Sequence, residues 1–408
     1  MKTVRFLHIS DLHRGGPWYE DVIGDHKDKC VSNSFAGTLT ASLEADFVKS
    51  LEDWQRNHGQ IDAIVCSGDL GNRGDTSKIE EGLYFINLIQ KRLGIREDNV
   101  LVCPGNHDAD RNEVDSKVFA GYSSALLKYG YTDHLLDTRP FYINGIPFVV
   151  LNTSLGAAQK SLFIQKYKEL ANTLSLEDKQ RFTEELKKEG LDYLDDSLDI
   201  PAITEMQSDR ILKAINIDEA SFAIMVMHHS LLPCNSIEIR PYSSVLDSGR
   251  VLSRLMNCQK DILIFHGHVH FPTASVLSKP NSIHFVSSVG AGVFNGASGS
   301  SVNIVEVFCS DEGEYIITVV YEFVKQVNGL NFSKPFSIYN QKGKDLLSIV
   351  LNKYDSEDSR GLKFGDLKKD LSCSDADLLR LILSKNSLFE VARRKSNEID
   401  DWTIYRIS

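Results

Sequence analysis

The 408-residue sequence contains no continuous apolar run of 18 residues, so it offers no ordinary membrane-spanning helix. It has no internal repeat and no low-complexity tract, and solenoid, collagenous and disordered readings fall away. Cysteine is sparse. The seven residues, Cys30, Cys66, Cys103, Cys234, Cys258, Cys309 and Cys373, are odd in number, widely spread and without a C-x-x-C pair. That usage excludes a disulfide scaffold and predicts a reducing compartment. Positive charge is also short: 45 Lys plus Arg against 56 Asp plus Glu leave a formal charge of -11. A general grip on nucleic acid or an anionic membrane is disfavoured, although a local positive groove or bound metal ions could still receive a phosphate. The opening stretch from Met1 to His13 reaches histidine and aspartate too soon for a signal-peptide core, and a cytoplasmic protein is expected.

What is present is ordinary globular material, 42% hydrophobic and 25% charged, enough for one large α/β domain and a smaller accessory one. Thr3 to Ile9 reads as a strand that leaves its sheet at Ser10-Asp11-Leu12-His13. A helical pattern from Leu43 to Trp54 precedes a buried strand, Ile61 to Cys66, ending in Ser67-Gly68-Asp69. A helix from Lys78 to Leu93 precedes a third strand, Val100 to Cys103, ending in Pro104-Gly105-Asn106-His107-Asp108. Further strands are Pro147 to Leu151, Phe222 to Met227 ending at His228-His229, and Ile262 to Phe265 ending at His266-Gly267-His268-Val269-His270. A helix is expected from Thr204 to Ile215, and a charged helical stretch from Leu176 to Leu194 lies within an insertion or cap over residues 152–220. The alternation implies a mainly parallel sheet, whose ligands gather beyond the carboxyl ends of the strands.

After residue 281 the texture becomes strand-rich, with runs at Ser282 to Val289, Val302 to Phe308 and Tyr315 to Phe323. From 324 to 408 a separate mixed module is expected. It would hold a short strand at Phe336 to Tyr339, a helix starting near Ser374 or Asp375, and a final strand at Trp402 to Arg406. The run Arg393-Arg394-Lys395 is too short to define a nucleic-acid face, and the module is equally compatible with docking another protein.

Five segments each place hard, metal-competent side chains just past an apolar strand: Asp11-x-His13, Gly68-Asp69, Gly105-Asn106-His107-Asp108, His228-His229 and Gly267-His268-x-His270. The i,i+2 spacing of the first and last pairs sets both side chains on one side of an extended backbone. Carboxylate, imidazole and amide oxygen together suit Mn²⁺, Fe or Zn²⁺ better than a soft metal or Mg²⁺ alone. His8 and His266 lie within or at the end of strands and read as hydrogen-bonded structural histidines; His26, His58, His134 and His284 have no local pattern.

In this order the segments resemble the calcineurin-like metallophosphoesterase family, whose pattern is D-x-H, G-D, G-N-H-D/E, H and G-H-x-H; the match runs from about residue 4 to residue 292. The resemblance implies a four-layer α/β/β/α sandwich with the small mixed module at its carboxyl end. It implies that Asp11, His13 and His270 hold one metal ion and Asn106, His228 and His268 a second, with Asp69 as the bridge. Mn²⁺ is the first expectation, with Fe and Zn²⁺ as alternatives. Two ions about 3.5–4 Å apart activate a water for in-line attack and stabilise phosphoryl charge. His107 is then expected to assist the leaving oxygen, and Asp108 either orients that imidazole or holds its loop through backbone amides.

Asn106, Arg73 and His229 are the expected substrate contacts; His229 could instead support the metal shell, and Arg73 could instead pair with Asp75. Asn72 stands where some relatives carry an aspartate, and supplies no negative charge. The leading expectation is a metal-dependent phosphodiesterase. The alternatives are a nuclease subunit working with an ATPase or other partner, a phosphomonoesterase or nucleotidase, and a non-catalytic interaction module on a metal-stabilised core.

Overall fold

The computed structural model describes residues 1–14, 33–110, 113, 117–132, 140–154, 201–216, 220–232, 244–245, 247–270, 272–278, 284–292, 301–326, 329–332, 335–339, 350, 361–385, 389–392 and 398–407. The expected helix over 176–194 and the Arg393-Arg394-Lys395 run lie outside them. In chain order the first elements are β1 (Lys2–Ile9), α1 (Asn33–His58), β2 (Ala63–Cys66), α2 (Thr76–Leu93), β3 (Val100–Val102) and α3 (Ala120–Lys128). There follow β4 (Phe141–Ile143), β5 (Ile146–Val150), α4 (Glu205–Asn216), β6 (Phe222–Val226), α5 (Ser248–Leu255) and β7 (Asp261–His266). The strand-rich stretch comprises β8 (Thr273–Ser278), β9 (Phe285–Gly290), β10 (Ser301–Cys309), β11 (Tyr315–Gln326), β12 (Gly329–Phe332) and β13 (Phe336–Ile338). The chain closes with β14 (Leu362–Lys363), α6 (Phe364–Leu371), α7 (Asp375–Ser384), β15 (Phe389–Ala392) and β16 (Thr403–Arg406).

The strands build two large sheets. One has the order β12-β11-β10-β1-β2-β3 with β13 also on β11, and the other the order β4-β5-β6-β7-β9-β8. Strands β1, β2 and β3 run parallel, as do β5, β6, β7 and β9, while β10 enters antiparallel to β1. The period of two sorts each strand between two cores. Val4 and Phe6 of β1, with Ala63 and Val65 of β2, face Phe148, Ile224, Val226, Leu263 and Phe265 of the second sheet. Phe6 meets Phe148 and Phe265 edge-on, with ring centroids 5.6 and 5.0 Å apart.

The alternate residues Leu7, Ile9, Ile64, Cys66 and Val102 turn outward against Phe47, Leu51 and Trp54 of α1, Leu83 and Ile86 of α2, and Tyr122 of α3. On the other flank Ala223, Met225, Ile262 and Ile264 pack against α4 and α5 through Ile211, Ile215, Val251 and Leu255. The layering is therefore α/β/β/α, and strands covered on both faces read as unbroken apolar runs.

The carboxyl-terminal part is a three-stranded sheet of order β14-β16-β15 carrying α6 and α7. Ser374 caps α7, its hydroxyl accepting the Asp377 N–H at 3.1 Å. Leu378, Leu379, Ile382, Phe364, Trp402 and Ile404 pack on Phe308, Ile317 and Val319 of the first large sheet. Position 324 falls inside β11, and β12 and β13 still pair within the large sheet. Among the described residues no helix is long and apolar enough to cross a membrane.

Candidate metal centre

The parallel ladders continue past the strand ends and bring the five loops together. Asp11 N–H donates to the Gly68 carbonyl and His13 N–H to the Asp69 carbonyl, both at 3.0 Å; Gly267 N–H donates to the His228 carbonyl, also at 3.0 Å. The D-x-H and H-x-H pairs meet, though by a different backbone from the extended one the spacing suggested. Asp11, His13, Asp69, His268 and His270 all have positive φ, between 43° and 69°. Each left-handed residue costs on the order of 1–2 kcal/mol, and such strain gathers at functional sites. The glycines of the motifs leave room for these turns: a Cβ on Gly105 would strike the Asp69 carboxylate, and one on Gly267 would strike Ser10 Oγ.

Each aspartate spends one oxygen on a backbone amide and points the other into the cluster. Asp69 Oδ1 accepts the His107 N–H at 2.8 Å, and Asp11 Oδ2 accepts the His268 N–H at 3.0 Å. The remaining oxygens, Asp69 Oδ2 and Asp11 Oδ1, are buried and accept no hydrogen bond. Imidazole nitrogens crowd them instead: His228 Nε2 stands 3.2 Å and His13 Nε2 3.7 Å from Asp69 Oδ2, and His270 Nε2 stands 3.2 Å from Asp11 Oδ1. His13 Nε2 and His270 Nε2 face each other at 3.1 Å. His228 Nδ1 donates to the Ser67 carbonyl at 2.7 Å, which turns its Nε2 to Asn106 Oδ1 at 3.0 Å; His268 Nδ1 lies 3.2 Å from the same oxygen.

Acceptor atoms aimed at one another in a buried space need protons or cations between them. The protein's own charges supply some protons. Burial pulls the His228 imidazole down, but the Asp69 charge 3.2 Å away, with Asp11, holds it up at about 9. His13 is raised against its burial by Asp11 and Asp69. Asp11 and Asp69 sit well below the usual carboxylate range despite their burial, drawn down chiefly by His270 and by His228 respectively. His268, beside His228, is driven by burial down to about 3 and offers a neutral nitrogen. Orphaned carboxylate oxygens, converging ring nitrogens and an amide oxygen form residue clusters consistent with a binuclear metal site.

Of the expected ligands, all seven converge: Asp11, His13 and His270 form one cluster, Asp69 stands between it and His228, and Asn106 and His268 close the other side. His107 lies beside them, its ring 4.8 Å from that of His13, with Nδ1 2.9 Å from Asn72 Oδ1. Asp108 is set on the loop rather than on that imidazole. Its two oxygens accept the Gly71 and Gly105 N–H groups at 3.0 and 2.9 Å, and burial with the nearby Asp69 pushes it up to about 6. Arg73 is exposed on the loop that carries Asn72, with positive φ and no ion pair to Asp75, whose carboxylate caps α2 through Ser77. His229 is buried against His268 and bonded to Thr153. Thr153 and Ser67 were not singled out by the motifs. Both follow apolar strands, and the strand-end rule that found the ligands applies to them as well.

The calcineurin-like phosphoesterase family model matches residues 4–272, and the chain belongs to that family. The uncharacterized metallophosphoesterase-like protein YydB of Bacillus subtilis (strain 168) is 31% identical over 109 residues, which cover 27% of this chain and 18% of that protein. The match thus spans well under two thirds of that relative. Among solved structures, a dimetal phosphatase from Danio rerio is 14% identical with a TM-score of 0.45, over 83% of this chain and 99% of its own. A putative 5'-nucleotidase from Staphylococcus aureus is 12% identical with a TM-score of 0.35, over 87% of this chain and 58% of its own. Family and donor clusters together define a two-metal-binding phosphoesterase fold capable of metal-dependent hydrolysis.

Proposed function

We propose that the chain is a two-metal phosphoester hydrolase acting on phosphodiesters. Asp11, His13 and His270 hold one ion, Asn106, His228 and His268 the other, and Asp69 reaches both; Mn²⁺ is the first ion to test, with Fe and Zn²⁺ compatible with the same donors. When bound, two such ions lower the pKa of a water and neutralise phosphoryl oxygens during in-line displacement. The observation that carries this reading is the pair of buried, unsatisfied carboxylate oxygens, Asp11 Oδ1 and Asp69 Oδ2, ringed by imidazoles.

The chain's own groups divide the remaining work. His107 is tied at its amide to Asp69 and at Nδ1 to Asn72, so the ring is aimed by two contacts and Nε2 is the atom that serves the leaving oxygen. Asn106, being neutral, contributes an oxygen without cancelling positive charge needed by the phosphate. Arg73, exposed on the Asn72 loop, reaches out to a phosphoryl oxygen. Asp108 keeps the two phosphate-side loops together through Gly71 and Gly105. Buried free thiols at Cys66, Cys103 and Cys309 support a cytoplasmic working place, and residues 324–408 are read as an accessory region.

The test is turnover of bis-p-nitrophenyl phosphate against p-nitrophenyl phosphate by metal-stripped protein given Mn²⁺, with Asp69→Asn as control. Diester turnover that exceeds monoester turnover and disappears in the variant is expected. A monoester preference would make the protein a phosphatase or nucleotidase instead, and no turnover of either by the two-ion form would remove the catalytic reading.

A further inference from the structure

We propose that His229 is an additional protein ligand of the ion held by Asn106, His228 and His268, and that Thr153 fixes its ring for that purpose. The assignment rests on the two-metal reading above. The His229 ring is 1% exposed and lies 4.2 Å from the His268 ring and 4.8 Å from the His228 ring, centroid to centroid. One ring nitrogen from each of the three lies within 4.8 Å of the others.

Thr153 secures the imidazole at two points. Its Oγ1 accepts the His229 backbone N–H at 3.1 Å and lies 3.0 Å from Nδ1. A hydroxyl oxygen has lone pairs for both donors, and in the tautomer that donates Nδ1–H to Thr153, Nε2 presents its lone pair. His228 is arranged the same way, with Nδ1 on the Ser67 carbonyl and Nε2 turned inward. A ring whose second nitrogen is anchored by a polar group is the usual setting of a metal-bound histidine.

Nε2 of His229 is buried and has no hydrogen-bond partner. A buried nitrogen left so has lost its water without compensation, which points to a partner from outside the chain. An imidazole lone pair presented beside two other ring nitrogens is a donor that a divalent ion takes directly. The wall on this side is thus richer in nitrogen than the Asp11 side, and the two ions are held unequally.

Equilibrium dialysis of metal-stripped full-length protein against Mn²⁺, followed by absorption spectra after Co²⁺ loading, tests the assignment. Wild type should take two ions. His229→Gln should weaken one of them at least tenfold and change its Co²⁺ band while the other ion binds as before, and Thr153→Val should weaken the same ion less. Thr153→Val leaves the imidazole in place and carries the measurement if His229→Gln fails to fold. Two ions bound with wild-type affinity and unchanged spectra in the folded variants would overturn the assignment and leave the two-metal reading intact; a raised KM in that case would make His229 a substrate contact. Fewer than two ions in wild type would overturn both.

Discussion

His107 Nδ1 and Asn72 Oδ1 lie 2.9 Å apart, so a neutral amide, rather than a carboxylate, orients the imidazole proposed to meet the leaving group. Asn72→Ala should lower kcat/KM by roughly 10–100-fold with both ions still bound, because an unheld ring loses its orientation. Asn72→Asp restores the contact and adds a negative charge that favours imidazolium. Activity in that variant should extend to higher pH than in wild type, read from kcat/KM profiles. Coincident profiles would remove His107 from the proton-transfer role.

Metal binding should release protons. His228 is held up at about 9 and His13 is raised, so both carry protons at neutral pH that an ion must displace; Asp11 and Asp69, held low, are already ionised, and His268 at about 3 is already neutral. A raised pKa means the proton is present below about 9 and lost above it, so ion affinity climbs from neutral pH toward that value and then levels off. Calorimetric titration with Mn²⁺ in two buffers of different ionisation enthalpy at pH 7 measures the release. Equal heats in the two buffers would contradict it.

The site was legible because its donors sit in short motifs immediately after continuous apolar runs, and strands covered on both faces are the ones such runs reveal. Strand β8 escaped notice for the opposite reason. Thr273 to Ser278 lies at a sheet edge paired only with β9, mostly exposed, and needs no apolar pattern. Helix α1 begins at Asn33, ten residues before the apolar period does, because Ser34, Gly37, Thr38 and Thr40 carry no periodic signal. Strand β11 runs past position 324, and its polar tail, Lys325 and Gln326, carries no apolar mark although β12 pairs with those residues. Left-handed backbone at five of the proposed ligands was also invisible, since Asp and His tolerate it without any mark in the sequence.

The motif glycines are required by contact. A Cβ on Gly267 would collide with Ser10 Oγ and come 2.5 Å from Asp11 Oδ2, and both side chains are fully buried. Gly267→Ala should destabilise the metal-stripped protein by about 1–3 kcal/mol and weaken the ion on the Asp11 side. Gly249, in α5, has open space where its Cβ would stand, and Gly249→Ala should instead stabilise by about 0.5–1 kcal/mol. Urea midpoints of the two variants should move in opposite directions, and a neutral Gly267→Ala would show that the turn relaxes.

The carboxyl-terminal sheet shares its core with the large one, and this governs how the chain unfolds. Trp402 packs edge-on against Phe308 of β10 and Phe364 of α6, at centroid distances of 6.1 and 6.5 Å, and is 4% exposed. Arg380 of α7 reaches across to β11, donating to the Ile316 and Tyr315 carbonyls at 3.1 and 3.3 Å. Trp402→Ala removes a large buried ring that bridges the two parts and should cost about 3–5 kcal/mol. Because Phe308, Ile317 and Val319 would be uncovered if the module opened alone, thermal unfolding should remain a single transition that moves as a whole to lower temperature. Two separated transitions, with only the lower one displaced by the substitution, would mean that the module folds independently and that its contact with β10 and β11 contributes little to the two large sheets.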